Sequence, residues 1–151
     1  MGINFYRKES TPHWGMKHKI DKEDLTMKSL GTFLQSGDWK GEKHVPVIHA
    51  PENAKKGEEI EIRVLVGEEI KHPNTLEHHI SWIKVFFHPE GSKFPIEIGN
   101  YNFSAHGEGE IYEEPEIAIK VKLDKPGAIH ALSYCNIHGL WENSIEIKVE
   151  D

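Results

Sequence analysis

From residue 37 to residue 151 the chain is written as short β-branched runs separated by turn signals, and that texture restricts it to sheet packed on sheet. Ile60, Ile62, Val64 and Val66 alternate with Glu59, Glu61, Arg63 and Leu65, the period-two pattern of a half-buried strand. Val45–Ile48, Ile80–Phe87, Phe94–Phe103, Ile117–Leu123, Ala128–Tyr134 and Ile145–Val149 read as further strands. Between them lie Glu90-Gly91-Ser92, Gly107-Glu108-Gly109 and Lys125-Pro126-Gly127, each suited to a reversal of the chain. About seven strands at this spacing, with no strong helix among them, predict an all-β, immunoglobulin-like antiparallel β-sandwich. Trp82, Phe86, Phe87 and Phe103 are expected in its core.

Residues 1–36 differ in texture. They mix charges with isolated aromatics, and the spacing Leu25, Met27, Leu30 and Leu34 behind Asp21 predicts a short helix that Gly31 weakens. The expected organisation is an N-terminal extension over 1–36 and one domain over 37–151. No apolar run approaches the roughly 18 residues of a membrane span, and the first residues lack a secretory pattern, so the expectation is a cytoplasmic protein without membrane contact. A formal charge of −7 argues against nucleic acid as a partner.

Eleven histidines and a single cysteine, Cys135, are the unusual part of the composition. One cysteine excludes an intramolecular disulfide and any centre needing two thiolates from one chain. Three segments concentrate the metal-binding residue types: Glu42-Lys43-His44, His72 with His78 across a Pro-Asn turn, and Cys135 with His138 just after a strand. Each alone is a weak signal, since a charged strand end, a solvated histidine loop and a buried cysteine are all common. Taken together, His44, His72, His78, His138 and Cys135 form a set of four nitrogens and one sulfur. A structural zinc uses four ligands; a mixed imidazole–thiolate set of five with one open position suits a non-haem iron that meets a small ligand. His79 projects to the strand face opposite His78 and is not expected on the same ion. His49, His88, His106 and His130 read as surface or hydrogen-bonded histidines, and His13 and His18 have no third ligand nearby.

The stretches GDWKGEKHVPVI (37–48), HPNTLEHHISWI (72–83) and SYCNIHGLWEN (133–143) resemble the superoxide reductases, specifically the one-iron neelaredoxin type. Desulfoferrodoxins carry an additional rubredoxin-like domain built on cysteines, which a chain with one cysteine does not contain. The resemblance covers residues 37–151 and nothing is carried over to 1–36. It implies reduction of superoxide to hydrogen peroxide, without dismutation to oxygen, at one iron per chain. His44, His72, His78 and His138 would be equatorial ligands and Cys135 the axial thiolate. Glu42 would take the sixth position of the oxidised resting centre, and Lys43 would be the cation beside the open reduced one. The resemblance also implies a rubredoxin-type electron donor and a homotetramer. A thiolate opposite the open position pushes electron density onto iron, as an axial cysteine does in haem proteins.

Two other readings use the same residues. A blue-copper electron carrier shares the sandwich and a closely spaced Cys and His, but it needs an axial methionine after the cysteine, and Met1, Met16 and Met27 all precede it. That reading also leaves His72 and His78 without a role. A plain immunoglobulin-like binding module with adventitious metal predicts no stoichiometric iron and no colour.

Overall fold

The computed structural model describes residues 29–151, so the N-terminal part of the expected helix lies outside the described residues. Leu30–Phe33 forms a single 3-10 turn, after which the backbone is extended. Eight strands follow: β1 (Pro46–His49), β2 (Asn53–Lys55), β3 (Glu59–Val66), β4 (Ile80–Pro89), β5 (Ile96–Asn102), β6 (Glu116–Lys122), β7 (Gly127–Cys135) and β8 (Gly139–Glu150). They build a three-stranded sheet in the order β1-β3-β6 and a five-stranded sheet in the order β2-β8-β7-β4-β5. The all-β sandwich expected from the alternating pattern is what the chain forms.

The core lies between the sheets. Ile60, Ile62, Val64 and Val66 of β3 face Ile83, Val85 and Phe87 of β4, Ile129 and Ala131 of β7, and Ile147 of β8. The charged alternates of β3 form ion pairs on the outer face, Arg63 Nε to Glu116 Oε1 at 3.1 Å among them.

Three expectations need correction. Trp82 and Phe86 are half-buried rather than core residues. The pleat that turns Ile83, Val85 and Phe87 inward sends their neighbours outward, where Trp82 stacks on Tyr134 with ring centroids 5.7 Å apart. Phe87 and Phe103 are buried as expected. Strand β2 has no period long enough to betray it; it is a three-residue parallel addition to β8. Strand β8 starts at Gly139, not at Ile145, because Gly139–Ile147 pairs residue for residue with β7.

The topology brings three connections to one end of the sandwich. β1 begins where its antiparallel partner β3 ends, at the Pro46–Val66 pair, and β4 begins where β7 ends, at Ile80–Cys135. The turn before β1, the β3–β4 loop and the β7–β8 hairpin therefore meet there. They are the three segments that carry the histidines and the cysteine.

Candidate metal centre

His44 sits in the turn before β1, His72 and His78 in the β3–β4 loop, Cys135 at the last position of β7, and His138 in the tight β7–β8 turn. Ligand atoms of His44, His72, His78 and Cys135 all lie within 4.8 Å of one another. His138 completes the group, with Nδ1 2.9 Å from His44 Nε2 and 3.8 Å from Cys135 Sγ.

The four imidazoles stand like the sides of a square. Ring centroids are 4.8 Å apart for His44–His72, 4.7 Å for His72–His78, 4.9 Å for His78–His138 and 4.7 Å for His44–His138. His44 and His78 face each other across a diagonal of 6.3 Å. Each adjacent pair meets edge to face, at 65° to 80°. Cys135, fully buried, adds its sulfur and accepts the backbone N–H of His138 at 3.4 Å.

The hydrogen bonds around the rings fix which nitrogens point inward. His72 Nδ1 donates to the Pro73 carbonyl at 2.7 Å, so its Nε2 carries a bare lone pair. That atom and His78 Nε2 are buried with no hydrogen-bond partner among the described residues, a costly arrangement unless a cation is shared. His44 Nδ1 donates to Glu42 Oε1 at 2.6 Å, which turns its Nε2 inward as well. The 2.9 Å between His44 Nε2 and His138 Nδ1 matches the gap of about 2.9 Å between two ligands held at right angles on one ion by metal–nitrogen bonds near 2.0–2.1 Å. The donor set therefore fits a single metal ion, and its mixed nitrogen–sulfur chemistry suits iron.

Electrostatics favour the same conclusion. Burial pushes the His72 imidazole down to about 3. Burial likewise lowers His44, outweighing the Glu42 carboxylate that pulls the other way, and lowers His78 and His138. Neutral rings are the form that ligates metal. The charge of Lys43 also lowers all four, by less than burial does and, for His72, His78 and His138, by less than the charge of a neighbouring histidine.

Of the six residues expected at the metal, the structure brings His44, His72, His78, His138 and Cys135 together. Glu42 stands against the outward nitrogen of His44, where its Oε1 also accepts the His44 backbone N–H at 3.1 Å. Lys43 is half-buried in the same turn. His79 turns away and stacks on His106 with centroids 3.6 Å apart. His106 is itself buried, its Nδ1 on Asn74 Oδ1 at 3.0 Å and its Nε2 on the Phe103 carbonyl at 3.0 Å. Trp141 is buried with its indole stacked on His44 at 4.9 Å, and its Nε1 donates to the His138 carbonyl at 3.2 Å. Gln35 was not singled out by its sequence context, yet its side chain donates to that same carbonyl at 2.9 Å.

Comparison with known proteins agrees with this geometry. The family model for desulfoferrodoxin matches residues 36–144. The superoxide reductase of Pyrococcus horikoshii is 51% identical over 119 residues, covering 79% of this chain and 99% of that protein. The neelaredoxin of Megalodesulfovibrio gigas is 45% identical over 125 residues, covering 78% of this chain and 96% of that one. The solved structure of the reduced superoxide reductase (neelaredoxin) from Archaeoglobus fulgidus superposes with a TM-score of 0.71 at 46% identity, covering 77% of this chain and 98% of that chain.

Proposed function

The chain belongs to the desulfoferrodoxin family, and from that premise we propose that it is a superoxide reductase, reducing superoxide to hydrogen peroxide at one non-haem iron per chain. The observation that carries this reading is the pair of buried nitrogens, His72 Nε2 and His78 Nε2, that find no hydrogen-bond partner among the described residues and belong to a group that also holds a buried thiol. His44, His72, His78 and His138 would hold the metal by their inward nitrogens and Cys135 by its sulfur. When bound, iron supplies the single electron and an anion-accepting position. The balance is one superoxide, one electron and two protons to one hydrogen peroxide.

The residues divide the remaining work. The Cys135 thiolate donates electron density and is shielded from solvent and from oxidation by complete burial. Lys43 draws the superoxide anion inward against a net negative chain. Glu42 holds the His44 ring through Nδ1, the carboxylate–histidine arrangement that raises the basicity of a ligand. Were iron bound and oxidised, its greater positive charge would favour the same Glu42 carboxylate as a further ligand. Water at the rim supplies the protons.

The finer parts of the reading are a rubredoxin-type electron donor, a homotetramer, a cytoplasmic setting and a domain boundary near residue 36. Among the described residues no helix is long and apolar enough to cross a membrane. Stoichiometry tests the reaction: with excess reductant, each superoxide consumed should yield one hydrogen peroxide and no oxygen. One peroxide and one oxygen for every two superoxides would make the protein a dismutase instead.

A further inference from the structure

Two pieces of chain that are far apart in sequence carry four of the five metal-facing residues: the β3–β4 loop with His72 and His78, and the β7–β8 hairpin with Cys135 and His138. The loop organises itself locally. Thr75 N–H donates to the His78 carbonyl at 2.9 Å, His78 N–H to Thr75 Oγ1 at 3.0 Å, and His79 Nδ1 to the Thr75 carbonyl at 2.8 Å. Those bonds shape residues 75–79 but say nothing of where the turn sits relative to the thiolate. The sheet does not settle it either. The β4–β7 ladder stops at the Ile80–Cys135 pair, with a register shift between Ile80 and Trp82.

Asn136 takes over where the ladder stops. Its Oδ1 accepts the backbone N–H of His79 at 2.8 Å, its Nδ2 donates to the carbonyl of Glu77 at 2.9 Å, and its own backbone N–H donates to the carbonyl of His79 at 3.2 Å. The three bonds grip the main chain on both sides of His78, from the residue that follows Cys135. The orientation of the amide is fixed, because only an oxygen can accept from His79 N–H and only an NH₂ can donate to the Glu77 carbonyl. No other amino acid of this length offers both.

We propose that Asn136 is a positioning residue of the metal centre, setting the separation between the His78 imidazole and the Cys135 sulfur. The inference rests on the iron-centre reading above and adds to it a residue that contacts no metal. Asn136 is exposed, so its side chain fills no core volume and its bonds compete with water. Its removal therefore falls on the site more than on the fold.

The test uses the full chain purified with iron. Asn136→Ala should release iron to a chelator roughly 10- to 100-fold faster than the wild type, the range typical when a partner behind a metal ligand is lost. It should also shift or broaden the thiolate-to-iron(III) absorption band, while the thermal midpoint of the metal-free protein stays where it was. Asn136→Asp keeps the acceptor for His79 N–H and loses the donor to Glu77, so it should fall between the two; it also decides the matter should the alanine variant not fold. Asn100→Ala, an exposed asparagine on β5, should match the wild type. A wild-type release rate and band shape in Asn136→Ala would overturn the assignment, as would a fall in the metal-free midpoint that accounts for the faster release. A wild-type protein that holds no stoichiometric iron would instead overturn the iron-centre reading itself.

Discussion

The role proposed for Lys43 is exerted through its field. Burial is the main reason the four imidazoles stay neutral, and the Lys43 charge is a smaller cause acting the same way on His44, His72, His78 and His138. The same field should speed an incoming anion. The chain as a whole carries −7, but at physiological salt the Debye length is about 8 Å, so distant carboxylates fade while a lysine beside the site does not. Lys43→Ala is expected to slow superoxide capture about tenfold, a barrier increase of about 1.4 kcal/mol, with iron content unchanged. Pulse radiolysis over a range of ionic strength checks this: wild-type capture should slow as salt rises and the variant should respond less. Equal rates and equal salt dependence would reduce Lys43 to a solvated turn residue. At this scale the five residues that converge were legible in sequence as candidates, because the types that bind metal occurred in three tight groups. The position of Glu42 on His44 and the grip of Asn136 on residues 77–79 were not, since a sequence does not say which main-chain groups a side chain will meet.

Among the elements, the β3–β4 loop depends on the glycine that opens it. Gly67 has φ +90°, and a Cβ there would come within 2.6 Å of the His72 backbone nitrogen. The loop doubles back so closely that the chain of His72 occupies the space of a side chain. Gly57 also has positive φ, +74°, but an added Cβ would meet nothing within 4 Å. The pair separates backbone strain from displacement of a ligand. Both Gly67→Ala and Gly57→Ala should lose stability, by about 1–2 kcal/mol for the left-handed backbone, read as a lower thermal midpoint. Only Gly67→Ala should also lose iron, by displacing His72; iron content equal in the two variants would contradict the role given to this loop. The strands were readable where alternation ran long, as in β3. It failed for β2, which is too short to show a period. It also failed for the start of β8, where Leu140, Trp141 and Asn143 do not alternate simply; there cross-strand pairing with β7 decides.

For the whole molecule, antiparallel pairing does the assembling. Strand starts and strand ends coincide at one end of the sandwich, so residues from positions 44 to 138 converge without any one segment resembling a complete site. The sandwich was legible from strand spacing; the division of the strands between the two sheets was not, because every core strand shows the same β-branched pattern. Gln35, on the far side of the boundary expected at 36, takes part as well: it bridges to Trp141 in parallel and reaches the His138 carbonyl. A single iron bound through Cys135 is the central proposal for the centre. Elemental analysis and the visible spectrum of the oxidised full chain, beside Cys135→Ser, test it most directly. One iron per chain and a blue colour from thiolate-to-iron(III) charge transfer, lost in Cys135→Ser, is the predicted result. Zinc or copper alone after expression with iron supplied, or a colour that survives the loss of Cys135, would contradict it.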